Sequence, residues 1–569
     1  MDRQSEEYLK EFISSPNTVD IHLRYSEEVI NFIEERAYAH IGKIVRGEQI
    51  IVYIEGDRIN EFLNDLGRIT NRTFPIVLGL LGTQELQASG ILGVQQSNIN
   101  LRGEGVLLGF VDTGIDYINN AFRDNDGRTR IQYIWDQTIE NNTPEGYYYG
   151  SEYDAQIINQ ALESENPYSM VPHEDTVGHG TFLASVAASS ENNEYIGAAP
   201  ESELIVVKLR KARQYYLDKY FIYPEQENAY ESTDVIMAIE YMMQKAAQLG
   251  KPIAICIGIG SNLGGHDSFN ILEEYLSAIS NVAGVSVCAA AGNESNVNHH
   301  TMGEFEMGEN TRYVEIRVPE NSYSFQVHML NNLSDRMSAG AISPSGEVIN
   351  RVPAQSGSIV DNELTLEKST VRIEYNFPLE ATGGQLTSIS IIDPTPGIWT
   401  IVIYGDIILD GTYHLWLNIT GLVSPGVQFL SAVPNYTIVI PATAIGTITC
   451  GAYNSRNGSL YASSSWGPTR LPLNSPDLVA PGVYVEGIYP TGSGTMTGTS
   501  VASAITTGAS ALMLQWGIVE RNDLTLNTYR IRAYLVRGCR RENAINYPSS
   551  QWGYGRLDLN NSFTLLKNV

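Results

Sequence analysis

The sequence predicts an α/β protein: a parallel sheet with helices on both faces, preceded by a small α/β unit and interrupted by an antiparallel β unit of the sandwich or jelly-roll kind. Three observations predict it. Between Gly105 and His300 the apolar runs VLLGFV (106–111), LIVVKL (204–209), IAICIGIG (253–260) and VSVCAAA (285–291) alternate with helical stretches. Near-continuous apolar strands alternating with helices belong to parallel sheets covered on both sides. From 305 to about 440 the period changes to two, in YVEIRV (313–318), SFQVHM (324–329), VRIEY (371–375), WTIVIYG (399–405) and YHLWLNI (413–419). Turns such as Pro394-Thr395-Pro396-Gly397 and Asp410-Gly411 separate these runs without intervening helical periodicity, the pattern of an antiparallel β domain. The α/β pattern resumes at Ile445, which makes the β unit an insertion.

The elements follow in chain order. Residues 26–39 show helical spacing, with Val29, Ile30 and Ile33 on one face. Residues 50–54 form a short apolar strand, Asp57 suits the cap of a helix carrying Ile59, Phe62 and Leu63, and 75–81 is a further apolar run. A βαβ-like unit fits this order. Residues 234–249 read as a helix with Asp234 as cap, Val235, Ile239, Met242 and Ala246 as its stripe, and Gly250 as its stop. The expected divisions are 1–95 for the first unit, 96–304 and 441–569 for the two parts of the α/β unit, and 305–440 for the insert.

Composition narrows the function. The chain has 569 residues, with 36 basic against 64 acidic side chains and a formal net charge of −28. So acidic a surface argues against nucleic acid and anionic membrane as partners. The four cysteines, Cys256, Cys288, Cys450 and Cys539, show no CxxC spacing, so they are expected as reduced packing residues and not as a metal site or disulfide framework. The start, MDRQSEEYLKEF, has no apolar stretch of a secretory signal. No apolar run reaches the roughly 18 residues that span a bilayer. An intracellular, monomeric protein without membrane insertion is expected.

Three segments carry chemistry. Asp112, in GFVDTGID (109–116), ends a buried strand at the edge where open α/β sheets place their sites. His179, in GHGT (178–181), opens a helical run between two glycines that let other backbone approach. Ser500, in GTSVASA (498–504), stands at the N-terminus of a small-residue helix, where N–H groups and the dipole favour developing negative charge. Taken singly these are a turn aspartate, an incidental histidine and a serine cap. Taken together they supply an orienting carboxylate, a general base and a nucleophile, in the chain order Asp, His, Ser. A fourth segment, AAAGN (289–293), ends a strand on Asn293, a side-chain amide suited to an oxyanion.

These motifs resemble those of the subtilisin-like serine proteases, the subtilase superfamily. SSWGP (464–468), PDLVAPG (476–482) and WGYG (552–555) extend the likeness across about residues 100–560. Within the superfamily the chain is similar to the clostridial Csp germination proteases, through residues 106–117, YIWDQT (133–138), YGSEY (149–153) and Gly260-Ser261-Asn262 leading to His266-Asp267. The resemblance implies a catalytic triad of Asp112, His179 and Ser500, with Asn293 as oxyanion donor. It implies substrate-binding walls of Gly258, Ile259 and Gly260 on one side and Ala290, Ala291 and Gly292 on the other. No metal or cofactor is needed. It also implies that residues 1–95 are a prodomain acting as an intramolecular chaperone, either cut in cis within residues 80–97 or retained uncut, and that the chain is spore-associated. The substrate would be a protein, the zymogen of a spore cortex hydrolase. The chain departs from the family at Gly258, where a serine is usual, and at Ala504, where a proline is common.

Two other readings stay open: a triad-retaining scaffold that acts by binding germination partners, and an esterase on the same fold. The insert holds no candidate catalytic residue and is expected to stabilise the α/β unit.

Overall fold

The computed structural model describes residues 6–45, 49–67, 72–75, 77–80, 87–96, 100–191 and 195–566. Its central sheet has eight strands in the order Leu478–Pro481, Ile448–Tyr453, Val285–Ala290, Ile253–Ile257, Leu107–Asp112, Glu203–Lys208, Ile131–Asp136, Ser151–Asp154. Neighbours are parallel except for the last pair. Leu107–Asp112, Ile253–Ile257 and Val285–Ala290 are buried at every position, which is why they read as nearly continuous apolar runs, broken only by Asp112 and Ser286. Their alternate side chains serve two cores. Leu108, Phe110, Ala254, Cys256 and Cys288 pack with the helices His179–Ala188 and Thr499–Leu514. Leu107, Val111, Ile253, Ile255 and Val287 pack with Ser232–Leu249 and Ile271–Ile279. The parallel sheet with helices on both faces is thus the observed architecture, and all four cysteines are free and buried in it.

Two expectations about single elements need correction. The helix Ser232–Leu249 starts two residues before Asp234, after Glu231. Asp234 is not its cap but a buried acceptor, bonded by Tyr149 Oη–H at 2.6 Å and Arg210 Nε–H at 2.9 Å. Helix Thr499–Val519 is, by length and composition, apolar enough to cross a membrane. Its alanines and its leucines and methionines outweigh the serines and threonines that break the run. Its most apolar 18 residues are 89% buried within the protein, against the sheet.

The N-terminal unit is not a βαβ unit. Its four strands, in the order Ala39–Val45, Gln49–Glu55, Thr18–Arg24 and Arg72–Thr73, are antiparallel throughout. Ser26 caps the helix Glu27–Glu34 through the Val29 N–H, and the helix stops short of 39 because Ala39–Val45 is drawn into the ladder with Gln49–Glu55. Asp57 lies in a 3₁₀ turn and the helix Ile59–Leu66 begins after Arg58. Arg213 docks this unit: its Nη1 lies 2.5 Å from Asp20 Oδ1 and 2.5 Å from Glu231 Oε2, with all three side chains buried. The strand Val77–Leu80 leaves the unit's own sheet. It pairs antiparallel with Tyr230–Glu231 on one side and Ile259–Gly260 on the other.

The insert starts earlier than expected, at the strand His300–Glu304. One six-stranded and one five-stranded sheet, both antiparallel, enclose a core that includes Ile316, Val327, Met337, Ile373, Trp399 and Leu415. Trp416 faces away from that core and stacks on His266 of the α/β unit, with ring centres 4.3 Å apart.

Candidate active site

Asp112 ends Leu107–Asp112 at the carboxyl edge of the sheet, and His179 is the first residue of His179–Ala188. Ser500 is the second residue of Thr499–Leu514, not its cap, because Gly498 holds that position. Asp112 Oδ1 accepts the Thr113 N–H at 2.8 Å and the His179 Nδ1–H at 2.7 Å. That bond leaves His179 Nε2 to accept the Ser500 hydroxyl, at 3.2 Å. The three residues come together from positions 67 and 321 apart in the chain, and all are buried. The arrangement can take a proton from Ser500 as it attacks an electrophile and return it to a leaving group.

The glycines of GHGT act through space. A Cβ on Gly180 would collide with Gly114 O and lie 3.2 Å from Asp112 Cβ, so the histidine helix touches the aspartate loop only because nothing intervenes. Gly180→Ala is expected to push these segments apart and lower kcat by about 10²-fold, the cost of a misplacement near 1 Å. Steady-state kinetics of the purified variant check this, and kcat equal to the parent's would contradict it.

Asn293 follows the strand Val285–Ala290. Its Oδ1 accepts the Thr499 N–H at 3.1 Å and the Thr499 hydroxyl at 3.3 Å. The oxygen half of the amide is therefore committed to the start of the serine helix, and the NH₂ half carries the donors. Gly292 N–H reaches Thr499 Oγ1 at 3.1 Å. Ser465, from SSWGP, braces the same turn: its N–H donates to Gly292 O and its Oγ accepts the Glu294 N–H.

Gly258 lies against the triad. A Cβ there would sit 3.2 Å from Ser500 Cβ, 3.3 Å from Asp112 Oδ2 and 2.6 Å from Leu183 Cδ1. A serine here would require the Leu183 tip to shift. Ile259 and Gly260 pair with Leu80 and Gly79, so the edge expected to bind substrate holds a strand of the N-terminal unit. Ala290 and Ala291 are buried, and Ala291 O accepts the Val439 N–H at 2.9 Å. Val439 was not singled out from the sequence. A Cβ on Gly260 would meet its Cγ2, and one on Gly292 would lie 2.6 Å from its Cγ1, so Val439 fills the space between the two glycine-bearing walls. Its only sequence signal is the apolar run before Pro441, which reads as the end of the insert.

Comparison with known proteins gives the family and the fold. The model of the subtilase family matches residues 103–428 and 418–555. The structure of the Clostridium perfringens CspB protease is 32% identical, with a TM-score of 0.76, and the match covers 85% of this chain and 99% of that one. The subtilase-type proteinase RRT12 of Saccharomyces cerevisiae is 29% identical over 109 residues, 18% of this chain. The chain spans about a fifth of that curated relative's length, 21%.

Proposed function

This chain belongs to the subtilase family of subtilisin-type serine proteases, and from that premise we propose that it is an endopeptidase whose nucleophile is Ser500. Ser500 Oγ attacks the scissile carbonyl while His179 takes its proton, and the protonated imidazole then gives that proton to the leaving amine. Asp112 orients the ring and stabilises its charge. The Asn293 amide and the Ser500 N–H receive the oxyanion. The observation that carries this reading is the hydrogen-bond chain from Asp112 Oδ1 through His179 to Ser500 Oγ, at 2.7 and 3.2 Å.

The N-terminal unit, residues 1–95, serves in this reading as a prodomain and first substrate. The pairing of Val77–Leu80 supports it, because the ladder is antiparallel, with Gly79 opposite Gly260 and Leu80 opposite Ile259. Leu80 stands opposite Ile259, the neighbour of Gly258, where a Cβ would lie 3.2 Å from Ser500 Cβ, so the cut is proposed within residues 80–97, soon after Leu80. Residues 81–86 and 97 of that segment lie outside the described residues. By the likeness to the CspB protease, the substrate in trans is proposed to be the zymogen of a spore cortex hydrolase. The same pairing favours the second reading as well, a scaffold whose cleft stays filled by its own uncut strand.

A fluorophosphonate serine probe tests the proposal. Labelling of the purified chain, mapped by mass spectrometry to Ser500 and accompanied by hydrolysis of a casein-type substrate, is the expected result. A folded chain that takes no label and leaves casein intact would overturn the endopeptidase and leave the scaffold.

A further inference from the structure

We infer that His173 and Asp136 form a second aspartate–histidine pair, one that positions the Asp112 loop, and through it His179, for the reaction proposed above. Neither side chain of the pair is accessible to solvent. The surrounding donors define its protonation. The Ile115 N–H donates to His173 Nε2 at 3.1 Å, so that nitrogen is an acceptor and the ring proton sits on Nδ1. Nδ1–H in turn donates to Asp136 Oδ2 at 2.6 Å. Asp136 Oδ1 accepts the Thr138 N–H at 2.8 Å and the Thr138 hydroxyl at 2.5 Å, and Lys208 Nζ stands 3.7 Å from Oδ2.

The pair joins the two segments that carry the triad's aspartate and histidine. Ile115 follows Asp112 by one turn of loop, and His173 lies on the segment that leads into His179. A Cβ on Gly114, whose φ is +115°, would lie 2.9 Å from His173 Cε1, so the ring packs directly on the loop backbone. The loop is also bonded to the histidine helix, by Gly180 N–H to Thr113 Oγ1 and Asp116 N–H to Thr181 Oγ1, each at 2.9 Å. Asp175 holds Thr181 through its N–H and hydroxyl, at 2.9 and 2.6 Å. Those bonds let loop and helix move as one body. The His173 bond ties that body to Asp136, the end of a sheet strand, and so to the rigid part of the fold. Packing alone does not call for such a pair, because apolar residues fill buried space without the desolvation cost of a carboxylate. Neither residue reaches a reacting atom, so both are positioning residues, and an error near 1 Å in what they position costs about 10²-fold.

The inference rests on Ser500 as the nucleophile, so the experiment counts that nucleophile first. Full-length parent, His173→Ala, His173→Gln and Asp136→Asn are titrated with the fluorophosphonate probe, and kcat is expressed per labelled site. A parent that takes no label defeats the proposed function, and the inference falls with it. With the parent labelled, kcat per site in His173→Ala is expected to fall about 10–100-fold, KM to stay within about two-fold, and the rate of probe inactivation to fall with kcat. His173→Gln should recover most of the loss, because its Oε1 can accept the Ile115 N–H while its NH₂ donates to Asp136. A merely structural role would lower the thermal midpoint and the labelled fraction but not kcat per site. Parent-like kcat per site in His173→Ala and Asp136→Asn overturns the inference. If His173→Ala does not fold, the isosteric Asp136→Asn decides by the same measurements.

Discussion

Ser500→Ala is expected to lower peptide-bond hydrolysis by about 10⁶-fold, the scale of loss when the nucleophile of such a triad is removed, and to leave the fold unchanged. The chemical part follows from the proposed role, since the Ser500 hydroxyl is the one that lies 3.2 Å from His179 Nε2 at the end of the chain from Asp112. The structural part follows from the surroundings. Ser500 is fully buried within a helix of small residues, and alanine removes one atom without adding volume. Purification of parent and variant side by side also tests processing in cis, where effective concentration favours the first cut. The parent should yield two co-purifying fragments, the smaller of about ten kilodaltons on the usual size scales, and the variant one intact chain. Unchanged turnover of casein by Ser500→Ala would sink the serine-protease reading. Fragments in both samples would assign the cut to another protease.

The second large effect is acid destabilisation. Burial lowers the imidazoles of His22 and His266 to about 4, of His300 and His328 to about 3, and of His414 to about 2. The causes are visible around them. His300 Nε2 faces His414 Nδ1 at 3.2 Å, so a charge on one ring opposes a charge on the other, and Arg470 adds like charge near His266 and His414; the bond from His300 Nδ1–H to Val433 O works the other way and is outweighed by burial. These five rings are neutral in the folded chain, and an unfolded chain protonates them below about 6.5. The unfolded state therefore binds more protons as pH falls, so their contribution is complete above about pH 6.5 and is lost between there and the folded values. Glu231 and Glu273 act in the opposite sense. Burial raises both to about 8, so the folded chain holds protons there that the unfolded chain releases above about 4.3. The five imidazoles outnumber these two glutamates, so stability is expected to fall as pH drops from 7 to 5, by an amount that matters against the small net stability of an ordinary domain. Urea or thermal unfolding at pH 7, 6 and 5 measures it, and a midpoint that stays flat over that range would contradict the expectation.

Much of the α/β unit was legible because its signals are local. A strand buried on both faces must be almost wholly apolar, as Ile253–Ile257 is and as Val285–Ala290 is apart from Ser286. The ends of such strands and the starts of the helices beside them are marked by glycines, and so Asp112, His179, Asn293 and Ser500 stood out as a set. The insert was legible through its period of two. Other features were not, and the failures share a cause. Residues 26–39 carry helical spacing, yet the last of them joined a strand once a partner at Gln49–Glu55 was available. Asp234 has the chemistry of a cap and was instead taken by Tyr149 and Arg210.

By itself, then, the sequence determined the class of the fold, the order of its units and the residue types placed at strand ends and helix starts, because periodicity, glycine and local charge act over a few residues. Only the tertiary structure decided that Asp112 and Ser500 meet His179 across 67 and 321 positions. It alone decided that Val439 closes the gap between Gly260 and Gly292, that Val77–Leu80 fills the edge at Ile259–Gly260, and that His173 braces the Asp112 loop from Asp136. Each of these depends on which distant surfaces pack together, and that choice is made by the summed burial and pairing of whole elements, which no short stretch of chain encodes.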